Sequence, residues 1–98
     1  MRSTTTIETP NASVYLKQLC RHFGHRVETA FDDRDGHIGF AFGECELHAS
    51  GDRLELTAIG ADREARERVE SVVGSHLERF AFREELRVTW PGEAPNGV

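Results

Sequence analysis

The chain has almost no lysine, few cysteines and no long apolar run. Lys17 is the only lysine among 12 basic residues, and 17 acidic residues give a net charge of -5 at pH 7. Because nucleic-acid binding depends on clustered cations that neutralise phosphates, this balance argues against a nucleic-acid partner. No segment approaches the ~20 apolar residues that a membrane helix needs, so we expect no membrane span.

Signals for export are also lacking. No apolar stretch precedes Pro10, where a secretion signal would lie. The two cysteines, Cys20 and Cys45, could pair in principle, but free thiols are the default state in the cytosol. We therefore expect a cytoplasmic protein in which each cysteine is a small buried apolar residue.

A chain of 98 residues has the size of one domain. At this length folding buries roughly two thirds of the surface that the unfolded chain exposes, which is enough for one core. We expect a single domain over residues 1–98, ordered from about residue 3 to residue 91, with a disordered tail at residues 92–98.

The first half begins with a predicted strand and helix. The threonine-rich segment from Ser3 to Glu8 suits a strand at a sheet edge. The next segment carries one apolar stripe at i, i+3, i+4 and i+7, made by Leu16, Leu19, Cys20 and Phe23. This spacing predicts a helix that faces the core and ends at Gly24.

Beyond Gly24 the apolar period changes to two, which is typical of half-buried antiparallel strands. Four strands are predicted, with inward side chains at Val27, Thr29 and Phe31, at Ile38, Phe40 and Phe42, at Cys45, Leu47 and Ala49, and at Leu54, Leu56 and Ala58. Residues 32–36 are predicted to form a turn, and Gly43 with Glu44 a tight reversal. The pattern is that of a meander.

A second, longer helix is predicted after Asp62, a good N-cap. Its apolar face carries Ala65, Val69, Val72, Val73, His76, Leu77 and Phe80. A last strand is predicted from the alternation of Leu86, Val88 and Trp90. Phe82 is either exposed, which would suit an interface, or a plug beneath that strand.

These elements predict an α+β fold, a two-layer sandwich in the order β-α-β-β-β-β-α-β. Both helices would cover one face of an antiparallel sheet, because each helix carries a single apolar stripe. The other face would be polar, with Glu28, Glu44, Glu46, His48, Arg53, Glu55 and Thr57. Such a face is commonly exposed to solvent, although it can also form a dimer interface or line a shallow site.

Two sequence blocks carry a family resemblance. Leu19 to His25 reads LCRHFGH, Ser75 to Leu86 reads SHLERFAFREEL, and a YLKQ segment starts at Tyr15. With these blocks the chain resembles, over nearly its whole length, a family of small stand-alone bacterial proteins of unknown function. Members are sometimes found beside or fused to siderophore-interacting, flavin-dependent ferric reductases, which implies a role in iron acquisition. The resemblance implies no particular catalytic or binding residues.

Basic side chains gather where the first helix is predicted to end. Arg21, His22, His25 and Arg26 form a candidate site for an anion, such as a siderophore carboxylate or an acidic partner surface. The alternative is structural, because a helix C-terminus favours positive charge by ~0.3–1 kcal/mol per cation. A helix C-terminus also presents carbonyls, whereas anion-binding helices present N–H groups.

Cys20, His25 and His76 are the candidate metal ligands. The spacing Cys-x-His-x-x-His from Cys20 to His25 offers ligands suited to zinc, iron or copper, and His76 would join if both helix stripes face the same sheet. The alternative is that a backbone carbonyl, a side chain or a buried water satisfies His76 within the core. The cofactor is otherwise unidentified.

No catalytic motif is present, and the glycines do not form a dinucleotide-binding loop. The first hypothesis is a non-enzymatic accessory or binding module in iron-siderophore handling, with a siderophore-interacting reductase or a second copy as its partner. The second is a metal- or thiol-dependent enzyme using Cys20 and His76, which requires a cavity joining them and a depressed thiol pKa. The third is a purely structural partner or dimerisation module.

Overall fold

The computed structural model describes residues 1–91, in which two helices cover one face of a five-stranded antiparallel sheet. The elements are β1 (Arg2–Glu8), α1 (Ala12–Phe23), β2 (Glu28–Phe31), β3 (Asp35–Phe40), β4 (Gly43–Ser50), β5 (Arg53–Ile59), α2 (Arg63–Phe80) and a 3-10 turn (Phe82–Glu84). The strand order β1-β5-β4-β3-β2 leaves β1 and β2 at the edges. The predicted α+β architecture is confirmed, whereas the predicted disordered tail lies outside the described residues.

The apolar stripe of α1 packs on the sheet as predicted. Leu16, Leu19 and Cys20 are fully buried, and the N–H of Gly24 donates to the carbonyl of Cys20 at 2.9 Å where the helix ends. The helix approaches β3 closely at Gly36, where a side-chain carbon would lie 2.9 Å from the Cys20 sulfur. Any other residue at position 36 would place a side chain in the space that the Cys20 sulfur occupies. This contact therefore sets how α1 is rotated about its axis.

Helix α2 begins as the sequence predicts. The side chain of Asp62 accepts a hydrogen bond from the N–H of Ala65 at 2.8 Å, which caps the first turn. Val69, Val73 and Leu77 are fully buried along its inner face, which lies over β4 and β5. Within residues 1–91, neither helix combines the length and the hydropathy needed to cross a membrane.

The reversal between β3 and β4 comes earlier than predicted. Ala41 and Phe42 form the turn, whereas Gly43 and Glu44 already pair in β4. A side-chain carbon on Gly43 would lie 2.4 Å from the carbonyl oxygen of Ile59. The glycine is therefore explained by its close approach to the end of β5, and its position next to the turn misled the prediction.

The predicted final strand is wrong, because residues 86–90 join no sheet. The backbone N–H of Val88 donates to the Glu78 carboxylate at 2.8 Å, and the carbonyl of the next residue accepts from Thr5 Oγ1 at 2.6 Å. Trp90 is only 2 % exposed and lies beside α2. The alternation of Leu86, Val88 and Trp90 thus reflects a segment that packs one side against the protein. Side chains take the place of a neighbouring strand as partners for its backbone hydrogen bonds.

The 3-10 turn joins this terminal segment to the start of α1. The carboxylate of Glu84 accepts hydrogen bonds from the Tyr15 hydroxyl, from Asn11 Nδ2 at 2.7 Å and from Thr9 Oγ1 at 2.8 Å. These donors, with Tyr15 the largest cause, lower the pKa of Glu84. Phe82, at the beginning of the turn, is 67 % exposed, so of its two predicted placements the exposed one is found.

We expect Glu84→Gln to destabilise the fold at neutral pH, because an amide cannot accept all three bonds as strongly as a carboxylate. The lowered pKa means that the stabilisation is present above the unfolded pKa of about 4.3 and is lost as the pH falls through the folded value. Thermal unfolding should therefore show a lower Tm for Glu84→Gln than for the native chain at pH 7. This difference in Tm should disappear in acid. Glu85→Gln, the same charge change one residue later, is the control; an equal effect in both variants would contradict the assignment.

Candidate functional site

Four aromatic rings meet where the end of α1 lies against the C-terminal half of α2. They belong to His22, Phe23, His76 and Phe80, and we name them the His22 cluster. The ring centroids of His22 and His76 are 5.0 Å apart, those of Phe23 and His76 are 4.9 Å apart, and those of His22 and Phe80 are 5.4 Å apart. The cluster is a contact between the helices that remains open to solvent, since His22 is exposed and the other three are half-buried.

The local helix geometry explains why these rings meet. His22 follows Cys20 by two residues, or about 200° around a helix, so it points away from the sheet when Cys20 points into it. His76 and Phe80 are four residues apart and therefore share one face of α2. Burial of the apolar stripe of α1 thus directs His22 toward the rings of α2.

The hydrogen bond of His76 defines its tautomer. Nδ1 lies 2.7 Å from the backbone carbonyl oxygen of Val72, one turn earlier in α2. A carbonyl oxygen can only accept, so Nδ1 carries the hydrogen and Nε2 of the neutral ring keeps its lone pair. A backbone carbonyl thus satisfies one ring nitrogen, as the structural alternative predicted.

The electrostatic surroundings of His22 are uniformly basic. Partial burial is the largest cause that lowers its pKa, followed by electrostatic repulsion from His76, His25, Arg26 and Arg79. Of these groups, His25, Arg26 and Arg79 form a basic rim around the cluster in a chain whose net charge is -5. Such a rim concentrates positive potential on one part of an acidic protein.

The aromatic surface continues beyond the cluster. Phe40 packs edge-on against Phe23 with centroids 5.1 Å apart, and Phe42 stacks on Phe40 at 5.0 Å. The guanidinium of Arg68 lies 4.2 Å above the ring of Phe42. A belt of half-buried rings therefore runs from the helix contact to the β3–β4 turn, where it ends beneath a cation.

The structure brings together three of the four residues predicted to bind an anion. His25 and Arg26 lie close enough to His22 to lower its pKa, whereas the Arg21 guanidinium lies over Phe31 at 5.7 Å. Arg79 completes the rim and was missed by the sequence analysis. The signal in the sequence was its spacing, because residues three apart on a helix, such as His76 and Arg79, are neighbours on its surface.

The predicted metal ligands Cys20, His25 and His76 do not come together. The Cys20 sulfur lies against Gly36 between α1 and the sheet, while His76 meets His22 on the other side of α1. Within residues 1–91, no three histidine, cysteine or acidic side chains are grouped so as to hold a metal ion. The physical reason is the rotation of α1, which turns Cys20 toward the sheet and His22 toward α2.

The chemistry of Cys20 also differs from that of a catalytic thiol. Both Cys20 and Cys45 are free and fully buried. Burial raises the pKa of Cys20 to about 11, and it raises that of Cys45 as well. A thiol-dependent enzyme needs an accessible thiolate, so this environment opposes the hypothesis that Cys20 acts with His76.

The face of the sheet opposite the helices is polar. His37 Nε2 lies 2.8 Å from Glu44 Oε1, and His48 Nδ1 lies 2.8 Å from Asp35 Oδ1. Between these pairs lies a shallow depression of about 320 Å³ that includes Glu46. Its histidines are already paired with carboxylates, which favours a solvated surface.

We expect both thiols of the native protein to react slowly with an aromatic disulfide reagent at pH 7. A pKa raised from 9.0 to about 11 reduces the thiolate of Cys20 by about a hundredfold, and burial blocks access. On addition of denaturant, both thiols should become reactive, so that the reagent detects two thiols per chain. Ser75→Cys, which adds an exposed thiol on α2, supplies a fast-reacting control. If native Cys20 reacted as fast as this added thiol, the thiol-enzyme hypothesis would be restored.

Comparison with known proteins agrees with this fold. The family model described as "Uncharacterized protein conserved in bacteria (DUF2218)" matches residues 4–91. The NMR structure of PA4090 from Pseudomonas aeruginosa is similar with a TM-score of 0.78 and 34% identity, covering 95% of this chain and 98% of that one. No curated protein matches the chain. The chain therefore belongs to the uncharacterised, conserved bacterial family DUF2218.

Proposed function

We propose that this protein is a cytoplasmic, non-enzymatic binding module that docks an acidic protein surface through the His22 cluster and its basic rim. The observation that carries the proposal is the exposed ring of His22, which lies 5.0 Å from that of His76 and is acted on only by basic groups. An anionic partner would relieve this repulsion among like charges.

The shape of the surface favours a protein partner over a small molecule. Small ligands are usually held in concave pockets that bury most of their surface. The main depressions of the molecule are lined by other residues, such as Glu70 and Trp90 in one and Lys17 and His48 in another. A flat belt of half-exposed rings with arginines at its border has the composition of a protein interface core.

The chemistry of the rim selects acidic groups. Arg26 and Arg79 can each hold a carboxylate in a charge-assisted, bidentate hydrogen bond. His22 would gain a proton more readily beside such a carboxylate, because a negative charge favours the imidazolium form. The helix dipole favours cations at the end of α1, and it also favours Arg79, which lies in the last turn of α2.

Iron-siderophore handling is the cellular role that the family resemblance supports. The two blocks that carry the resemblance also supply the cluster, because LCRHFGH contains His22 and Phe23 while SHLERFAFREEL contains His76 and Phe80. A siderophore-interacting ferric reductase is therefore the partner to test first. The module would act as an accessory to the reductase and perform no chemistry itself.

The first test is binding to the siderophore-interacting reductase of the same bacterium, measured by biolayer interferometry. We expect Arg26→Glu and Arg79→Glu each to weaken binding about tenfold or more, because each replaces an attraction with a repulsion. Arg87→Glu, an exposed arginine outside the rim, makes the same charge change and should bind like the native chain. Equal loss in all three variants, or no binding by the native chain, would contradict the proposal.

The pH dependence of the same complex provides a second test. Because the pKa of His22 is lowered in the free protein and a docked carboxylate would raise it, complex formation should take up a proton. Affinity should then increase as the pH falls from about 8 to about 6, and His22→Asn should flatten this dependence. A native complex whose affinity does not change over this range would show that His22 does not face the acidic group.

A further inference from the structure

Arg68 is held over the aromatic belt by its contact with Phe42. Its guanidinium lies 4.2 Å from the centre of the Phe42 ring, at the opposite end of the belt from His22. Within residues 1–91, neither Arg68 nor Arg79 takes part in an ion pair. A guanidinium that stacks on a ring keeps its N–H groups in its own plane, so they stay free to bind a carboxylate. Arg68 is therefore positioned to bind an anionic group.

Arg68 and Arg79 lie on the same side of α2. They are eleven residues apart, which is close to three full helical turns, so their side chains leave the helix in nearly the same direction. The two positions are separated by about 16 Å along the helix axis, at 1.5 Å per residue. Their contacts agree with this placement, because Arg68 covers Phe42 while Arg79 lies close enough to act on His22. Two cations therefore mark the ends of one strip of surface.

The surface between these two arginines is aromatic. Ring centroids are 5.0 Å apart from Phe42 to Phe40, 5.1 Å from Phe40 to Phe23 and 4.9 Å from Phe23 to His76. All four rings are half-buried, so each offers part of its surface to a partner. Because His76 lies on α2 three residues before Arg79, the belt follows α2 from one arginine nearly to the other. The strip is thus a row of rings with a cation at each end.

We propose that the acidic partner of this protein presents an amphipathic helix, which lies along α2 over the belt. This inference rests on the proposed function and specifies the partner of the same surface. The helix carries two acidic side chains eleven residues apart, one for Arg68 and one for Arg79. Apolar side chains between them face the rings, as in other complexes where an amphipathic helix packs on an apolar surface.

A helix fits this strip because its side chains repeat over the same distance. Residues i, i+4, i+7 and i+11 share one face of a helix, so three turns present two terminal carboxylates with two apolar side chains between them. An extended segment would span about 16 Å with about five residues. Such a segment usually binds by pairing with an open strand edge, whereas α2 forms its backbone hydrogen bonds internally. Charge and spacing together therefore select an acidic helix.

Two synthetic alanine-rich peptides of about 20 residues, a length that supports a helix, test this spacing. Both have the same composition, with leucines on one face, but their two glutamates are eleven residues apart in one peptide and seven in the other. A spacing of seven keeps both glutamates on that face and reduces their separation to about 10 Å. Fluorescence anisotropy should show about tenfold tighter binding of the first peptide, because only its glutamates reach both arginines. Equal affinities, or no binding of either peptide, would overturn the proposal.

Charge reversal on the protein identifies the residues that bind this peptide. Arg68→Glu and Arg79→Glu should each weaken its binding about tenfold, and the double variant about a hundredfold, because two carboxylates so far apart act independently. Arg83→Glu is the matched control, since Arg83 is also exposed and lies over a ring, that of Phe82 at 5.7 Å, but outside the belt. Native affinity in Arg68→Glu, or an equal loss in Arg83→Glu, would overturn the proposal.

The same variants in the reductase assay separate this inference from the proposed function. Weaker reductase binding by both Arg68→Glu and Arg79→Glu supports the two together. Loss in Arg79→Glu with native binding in Arg68→Glu would keep the basic rim as a docking site and overturn the helix along α2. A preference for the peptide whose glutamates are eleven residues apart, without any reductase binding, would support helix recognition and overturn the reductase as partner.

Discussion

The packing of α1 against β3 is the contact on which the rest of the structure depends. Gly36 lets the helix approach until the Cys20 sulfur and the Leu16 side chain occupy the space where a side chain would otherwise lie. Once this contact sets the rotation of α1, His22 must face α2 and Arg21 must face β2. One close approach in the core therefore positions the His22 cluster.

Charge is distributed unevenly over this small acidic protein. The sheet face opposite the helices pairs its two histidines with carboxylates, His37 with Glu44 and His48 with Asp35. The end of α1 differs, because the groups acting on His22 are all basic. Positive potential is therefore concentrated where aromatic rings are also exposed, which is a combination suited to recognition rather than to stability.

The thiol of Cys20 and the rings of the His22 cluster lie in different environments. A nucleophile must be accessible and ionised, yet Cys20 is sealed in the core with a raised pKa. His76 donates a hydrogen bond from Nδ1 to the carbonyl oxygen of Val72, and its ring lies at the contact between the helices. Both helices that carry these rings are anchored by the same buried core.

The sequence alone determined the elements whose pattern is local. The stripe ending at Cys20, the cap at Asp62 and the alternating strands of the meander follow from helical and strand periodicity. Only the tertiary structure decided what each face touches: His76 meets His22 instead of Cys20, and residues 86–90 lie against α2 instead of joining the sheet. Periodicity shows which side of an element is buried, whereas the partner depends on helix rotation and on which groups take the backbone hydrogen bonds.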